Sequence, residues 1–167
     1  MLSLQYILTL LATICEGRYF QRNNMAQKYV EEYYEEFRGA AEIENNLSIV
    51  LKFIDELAFD KKSYWFNKAN IFSLICELYK YDLNQVDNVK FKEALINYEN
   101  IYKSYTIDEF DFHILDENGP IELVDRIFAE KDIKYFEYAR EAVNEKSARE
   151  YRGAIINEFI VESLKSS

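Results

Sequence analysis

Apolar residues recur every three or four positions through most of this chain, the spacing of amphipathic helices. Leu4, Ile7, Leu8, Leu11, Ile14 and Cys15 share a face of a predicted helix over residues 2–16, which stops before Gly17. A second helix is predicted through "NNMAQKYVEEYYEEFRG", with Met25, Tyr29, Val30, Tyr33 and Phe37 at helical spacing. A third reads "EIENNLSIVLKFIDELAF", with a stripe of Ile43, Leu47, Val50, Leu51, Ile54, Leu57 and Ala58. In "KKSYWFNKANIFSLICELYKYD" the apolar residues surround nearly the whole helix, which places it at the centre of a bundle. Trp65 and Phe66 just before it are expected to close one end of the core.

An amphipathic helix over residues 88–104 carries Phe91, Ala94, Leu95, Tyr98, Ile101 and Tyr102. "TIDEFDFHILDENGP" is the least helical segment and reads as a loop. Asn118-Gly119-Pro120 is a turn, with Pro120 suited to the first position of a following helix through Phe128. Asp132 is expected to cap "IKYFEYAREAVN". Four Gly and one Pro leave few breakers for strands and turns. The expected fold is therefore all-α: a single domain over residues 1–167, a bundle of six to eight helices with one irregular loop near residues 105–120. The first helix starts at Met1 with neither cap nor lead-in, which fits the C-terminal part of a longer protein.

Charge narrows the function. The formal net charge is −10, and residues 24–60 hold nine acidic and three basic side chains. That balance argues against broad non-specific nucleic-acid binding, which needs a basic face, but not against one local basic site. Cys15 and Cys76 have no C-x-x-C spacing, so reduced thiols in the cytoplasm are expected. The opening "MLSLQYILTLLATIC" lacks a basic n-region and is too short to span a bilayer; it reads as a core helix rather than a signal or anchor. Tyr-rich segments such as "YVEEYY" and "YKYD" belong by default to core and boundary, the other reading being a partner or dimer face.

Familiar catalytic chemistry is missing from the sequence. There is no Gly-rich phosphate loop, no dinucleotide fingerprint, no His-Cys constellation for zinc and no nucleophile elbow. Glu31, Glu32, Glu35 and Glu36 could be considered for a di-metal bundle, but that needs Glu-x-x-His and the one histidine is His113. They read as a solvated acidic face, and His113 as a loop residue. No cofactor, no metal and no enzymatic activity is expected.

One stretch resists that bland picture. In "SAREYRGAIINEFI" Ser147 and Glu150 form a capping box, so a helix is predicted to start at Ala148. At 100° per residue Ala148, Tyr151, Ile155, Ile156 and Phe159 form the apolar arc, Arg152 lies inside it and Arg149 at its edge. A guanidinium facing a core must be paired or must line a cavity. Two readings follow: pairing with buried carboxylates, or an anion pocket formed with free N–H groups at the helix start. Arg18 and Arg22, in "GRYFQRNN", are candidates to complete such a pocket, giving Ser147, Arg149, Arg152, Arg18 and Arg22 as an anion- or partner-binding set.

The order of "LATICEGRYFQRNNMAQKYVEEYYEEF", "SYWFNKANIFSLICELYKYD" and "YFEYAREAVNEKSAREYRGAIINEFI" resembles the helical C-terminal portion of a large bacterial family. That family has an N-terminal Asp-Gly-Gln-Gln-Arg motif in a ParB-like nuclease or nucleotide-hydrolysing domain and includes GmrS-type modification-dependent restriction and phage-defence proteins. The resemblance would cover nearly the whole chain. Ser147, Arg149 and Arg152 match the family's C-terminal pattern, while Asp-Gly-Gln-Gln-Arg itself is absent, so no catalytic residue carries over. The resemblance implies a non-catalytic helical interaction or regulatory module acting on a protein partner, with a nucleic acid or nucleotide compatible with the local arginine site. The alternative is a freestanding acidic inhibitor or nucleic-acid mimic working through its glutamate face. No membrane association is expected, and a homo-oligomer is left open.

Overall fold

The first apolar stretch forms α1 (Leu4–Glu16) in the computed structural model, which describes residues 3–20, 28, 29, 31, 37, 39–111, 128–141 and 144–165. Gly17 ends α1 at φ 66°, a left-handed conformation that a residue without Cβ adopts freely. The start is capped after all: Ser3 Oγ accepts the Tyr6 N–H at 3.3 Å. The buried face also differs from the predicted one. Leu4 is 72% exposed and Ile7 42%, whereas Thr9, Ala12 and Thr13 are buried. The threonines tolerate burial because their own helix satisfies them. Thr9 Oγ1 donates to Gln5 O at 2.7 Å and Thr13 Oγ1 to Thr9 O at 2.8 Å.

The third predicted stripe becomes α2 (Ala40–Glu56), with Val50, Ile54 and then Leu57 turned inward. Leu51, expected in that stripe, is exposed, and Phe53 is buried in its place against Phe91. A short 3-10 turn, Tyr64–Phe66, leads into α3 (Lys68–Leu78), capped by Asn67, whose side chain accepts from Asn70 N at 2.8 Å. Nine of the eleven α3 residues are buried. A helix covered on nearly every side must be central, as the sequence predicts, and α3 does pack against both neighbouring and distant elements. Trp65 is fully buried and donates to Leu95 O at 2.8 Å; Phe66, expected beside it, is exposed.

The next helix, α4 (Asn88–Asp111), runs seven residues past its predicted end. Residues 105–111 are helical, not loop. No Gly or Pro stands between Asn88 and Asp111 to break the helix, and Tyr105 packs on Phe128 and Phe136. Then come α5 (Glu130–Arg140) and α6 (Lys146–Glu162). The cap of α5 is Ala129, with Asp132 in the first turn rather than at the cap. Helix α6 packs most closely on α3 and α5. The chain after α6 returns to the segment just before α4, where Lys165 N donates to Gln85 O and Asp87 N to Ser163 O, both at 2.8 Å.

Among the described residues the fold is thus six α-helices and no strand, a single compact all-α body. None of these helices is long and apolar enough to cross a membrane. Of the expected helix over 23–39 only Lys28, Tyr29, Glu31, Phe37 and Gly39 are described; Arg22, Glu32, Glu35, Glu36, and residues 112–127 with His113 and Pro120 lie outside the described residues.

Two contacts in this frame have testable consequences. Gly153 sits where α6 crosses α3. A Cβ there would lie 2.6 Å from Glu77 Oε1 and 2.7 Å from the Tyr19 ring. Glu77 has little room to yield, because Tyr19 Oη donates to it at 2.7 Å and Lys80 Nζ at 2.8 Å. Gly153→Ala therefore destabilises by about 1–2 kcal/mol, overpacking outweighing the usual helix gain of about 1 kcal/mol. A lower urea midpoint would show it.

The second contact is pH-sensitive. Burial disfavours the charged Glu99 carboxylate, but Lys103 Nζ at 2.7 Å and Ser63 Oγ donate to it and hold its pKa below the usual range. A depressed folded-state pKa gives stability that is complete above the unfolded value, about 4.3. It is lost as pH falls through the folded value. Glu99→Gln is expected to lower the urea midpoint at pH 7 and to flatten the loss of stability below about pH 4.5.

Candidate functional site

The two arginines singled out by the helical wheel do face inward. Arg149 is 4% exposed and Arg152 fully buried, on the side of α6 that also buries Ile155, Ile156 and Ile160. Arg152 Nε donates to Ser73 Oγ at 3.3 Å on α3, and its NH1 group to Tyr138 O at 2.6 Å on α5. Arg149 NH1 donates to Phe20 O at 3.3 Å, and its guanidinium lies 4.9 Å from the centre of the Phe72 ring. These contacts are neutral oxygens and a ring face. Burial pulls the Arg152 pKa below its ordinary value, opposed by the hydroxyls of Tyr135, Tyr19 and Tyr64. An arginine starts so high that it stays charged at neutral pH.

Both arginines line one cavity of about 440 Å³, within the range that takes a small ligand. Its walls come from five helices and the 3-10 turn. Helix α1 supplies Gln5, Tyr6 and Thr9, and α3 with its cap supplies Asn67, Lys68 and Phe72. Tyr64, Tyr102 and Phe136 make an aromatic side; Arg140 and Asn144 come from the end of α5 and the turn into α6. The electrostatic character is one-sided. Among the described lining residues are four cations, Lys68, Arg140, Arg149 and Arg152, and no carboxylate. Glu141 pairs with Arg140 at 3.1 Å on the exposed side and offsets part of that charge.

The aromatic groups are ordered as well. Tyr6 meets Phe72 edge to face at 5.6 Å and donates its hydroxyl to Lys68 O at 3.2 Å, which ties α1 to the start of α3. Tyr64 stacks on Tyr102 with centroids 3.8 Å apart. Burial pushes the pKa of both Tyr6 and Tyr64 well above the usual phenol value, so both remain protonated donors. The cavity therefore offers positive charge, N–H and O–H donors and ring surface. Its described lining holds no histidine, cysteine or carboxylate to serve as a base or nucleophile at neutral pH.

The other predicted site residues fare differently. Ser147 is exposed and lies within the first turn of α6, because the helix starts at Lys146 with Glu145 at its cap. Glu150 pairs with Lys146 at 3.5 Å instead of closing a capping box on Ser147. The Arg149 N–H already donates to Glu145 O at 3.0 Å, and none of Lys146, Ser147 and Ala148, which carry the free N–H groups, lines the cavity. Free N–H groups at the helix start thus contribute nothing to the pocket. Arg18 is 73% exposed, 3.4 Å from Glu16, and borders a separate space of about 20 Å³ beside Cys76 and Lys80. That space is about one water in size. Arg22 lies outside the described residues.

Lys68, Arg140, Asn67 and Asn144 escape a reading by helical periodicity, because polar residues at helix ends ordinarily face water. Asn67 is the one with a local signal, as the cap that aims the first turn of α3. Among the described residues, no group of three or more His, Cys, Asp or Glu side chains is placed to hold a metal ion. Comparison of the chain with family models, with curated proteins and with solved structures found no match.

Proposed function

We propose that this chain is a non-catalytic helical binding module whose pocket between α1, α3 and α6 receives an anionic group. The observation that carries the reading is the charge of the cavity. A protein of net charge −10 gathers four cations, and no acidic side chain among the described lining residues, around one space of about 440 Å³. Cations placed in a low-dielectric, partly enclosed site attract an anion far more strongly than the same groups in water. Arginine also presents the planar fork that suits phosphate and carboxylate.

The biological setting is the one that the sequence resemblance implies: a regulatory or accessory module of a bacterial restriction or phage-defence system, in which an anion reports to, or is carried by, a protein partner. A described lining without histidine, cysteine or carboxylate to activate a hydroxyl or a water favours binding over turnover.

A thermal-unfolding screen tests the reading. At fixed ionic strength, phosphate or a phosphate-bearing ligand is expected to raise the unfolding temperature. At about 100 times its Kd the ligand adds about 2.7 kcal/mol. Equal unfolding temperatures with phosphate, sulfate, nucleotides and short DNA or RNA would overturn it.

A further inference from the structure

The pocket's second half narrows the ligand. We propose that it takes a mononucleotide, one phosphate ester on a ring-bearing sugar, and this inference rests on the anion-pocket reading above. The cationic side formed by Arg149, Arg152 and Lys68 accounts for a phosphate and leaves the rest of the cavity unexplained. In the same lining, Tyr64 and Tyr102 stack on each other with centroids 3.8 Å apart and add aromatic wall beside the cations. Flat aromatic walls suit a nucleobase because every base has a π-face. Asn67 and Asn144, also in the lining, carry side-chain amides that match the donor and acceptor edge of a base.

An independent observation points the same way. Tyr64 is 9% exposed and its hydroxyl is buried without a hydrogen-bond partner. The side-chain amide of the adjacent Asn70 is near enough to act on it but does not reach hydrogen-bond distance. Its Oδ1 accepts from Tyr135 Oη at 3.0 Å and its Nδ2 donates to Tyr64 O at 3.0 Å. Buried polar atoms are paired in the great majority of cases, so a polar group of the ligand is the missing partner of this hydroxyl. Inorganic phosphate held by the arginines leaves that hydroxyl and the ring surface unused.

Size and charge exclude the polymer. A cavity of about 440 Å³ holds one compact ligand, and a net charge of −10 repels a polyanion outside it. The free mononucleotide is therefore favoured over an RNA or DNA strand.

Calorimetric titration of the full chain with AMP, GMP, CMP and UMP tests this, beside adenosine, ribose 5-phosphate, inorganic phosphate and a short single-stranded oligonucleotide. At least one mononucleotide is expected to bind 10-fold or more tighter than ribose 5-phosphate or inorganic phosphate. Tyr64→Phe keeps the ring stack and removes the hydroxyl. It is expected to weaken the mononucleotide about 5-fold, the worth of one hydrogen bond, and inorganic phosphate by less; an equal loss for both would show that the hydroxyl does not meet the nucleoside part. If phosphate and ribose 5-phosphate bind as tightly as every mononucleotide, the inference fails and the anion pocket stands. An oligonucleotide that outbinds every mononucleotide also overturns it. No binding by any of them overturns both.

Discussion

Arg152→Ala unfolds about 10 °C below the parent chain. The side chain is fully buried and joins three helices, donating from α6 to Ser73 of α3 and to Tyr138 O of α5. Truncation removes both bonds, leaves the half-buried Tyr138 carbonyl without this donor and opens a void beside Tyr135 and Tyr64. Losses of this kind cost about 3–4 kcal/mol. At about 2–4 °C per kcal/mol for a chain of this length, a drop near 10 °C follows. Arg152→Met refills most of the volume and is expected to recover about half of the loss, which separates packing from hydrogen bonding. A fall of less than about 1 kcal/mol for the alanine variant would mean that the guanidinium does not join these helices as described.

Arg149→Gln loses anion affinity about 10- to 100-fold while unfolding only slightly earlier. Removing a charged donor from an anion site typically costs about 1.5–3 kcal/mol of binding, which is that range of fold-change. The stability cost is smaller, about 1 kcal/mol, because what is lost is one long hydrogen bond to Phe20 O and the cation's contact with the Phe72 ring. The two arginines are thus expected to part ways: Arg152 mainly holds the helices, and Arg149 mainly holds the ligand. Unfolding curves and phosphate titrations of the same two variants check the division. Equal losses of stability, with affinity untouched, would contradict it.

The inward turn of these arginines was legible from periodicity alone, because their angular position on α6 is set by neighbours such as Ile155 and Ile156. The same reasoning found α3 as the central helix. It failed where a polar residue satisfies itself. Thr9 and Thr13 bond back to their own helix and take the buried side of α1 that Leu4 and Ile7 were expected to fill. It failed at Ser147 because Lys146 competes for Glu150 and the helix begins two residues earlier. It ended α4 at Ser104, although no breaker stands there. The remaining pocket residues were not legible for a different reason. Lys68 and Arg149 are 81 positions apart, and only the packing of α3 on α6 puts them around one space. No short-range pattern encodes that meeting.

The account's central claim is that this space attracts an anion, and Lys68→Glu tests it with least disturbance to the fold. Lys68 is exposed in the first turn of α3, where an acidic residue suits the helix dipole. The variant is therefore expected to be as stable as the parent or slightly more stable, by about 0.3–1 kcal/mol. Calorimetric titration with inorganic phosphate at fixed ionic strength is the measurement. The account predicts saturable binding to the parent chain and an affinity at least 10-fold lower in the well-folded Lys68→Glu protein. Phosphate that binds neither protein, or both equally, would contradict it.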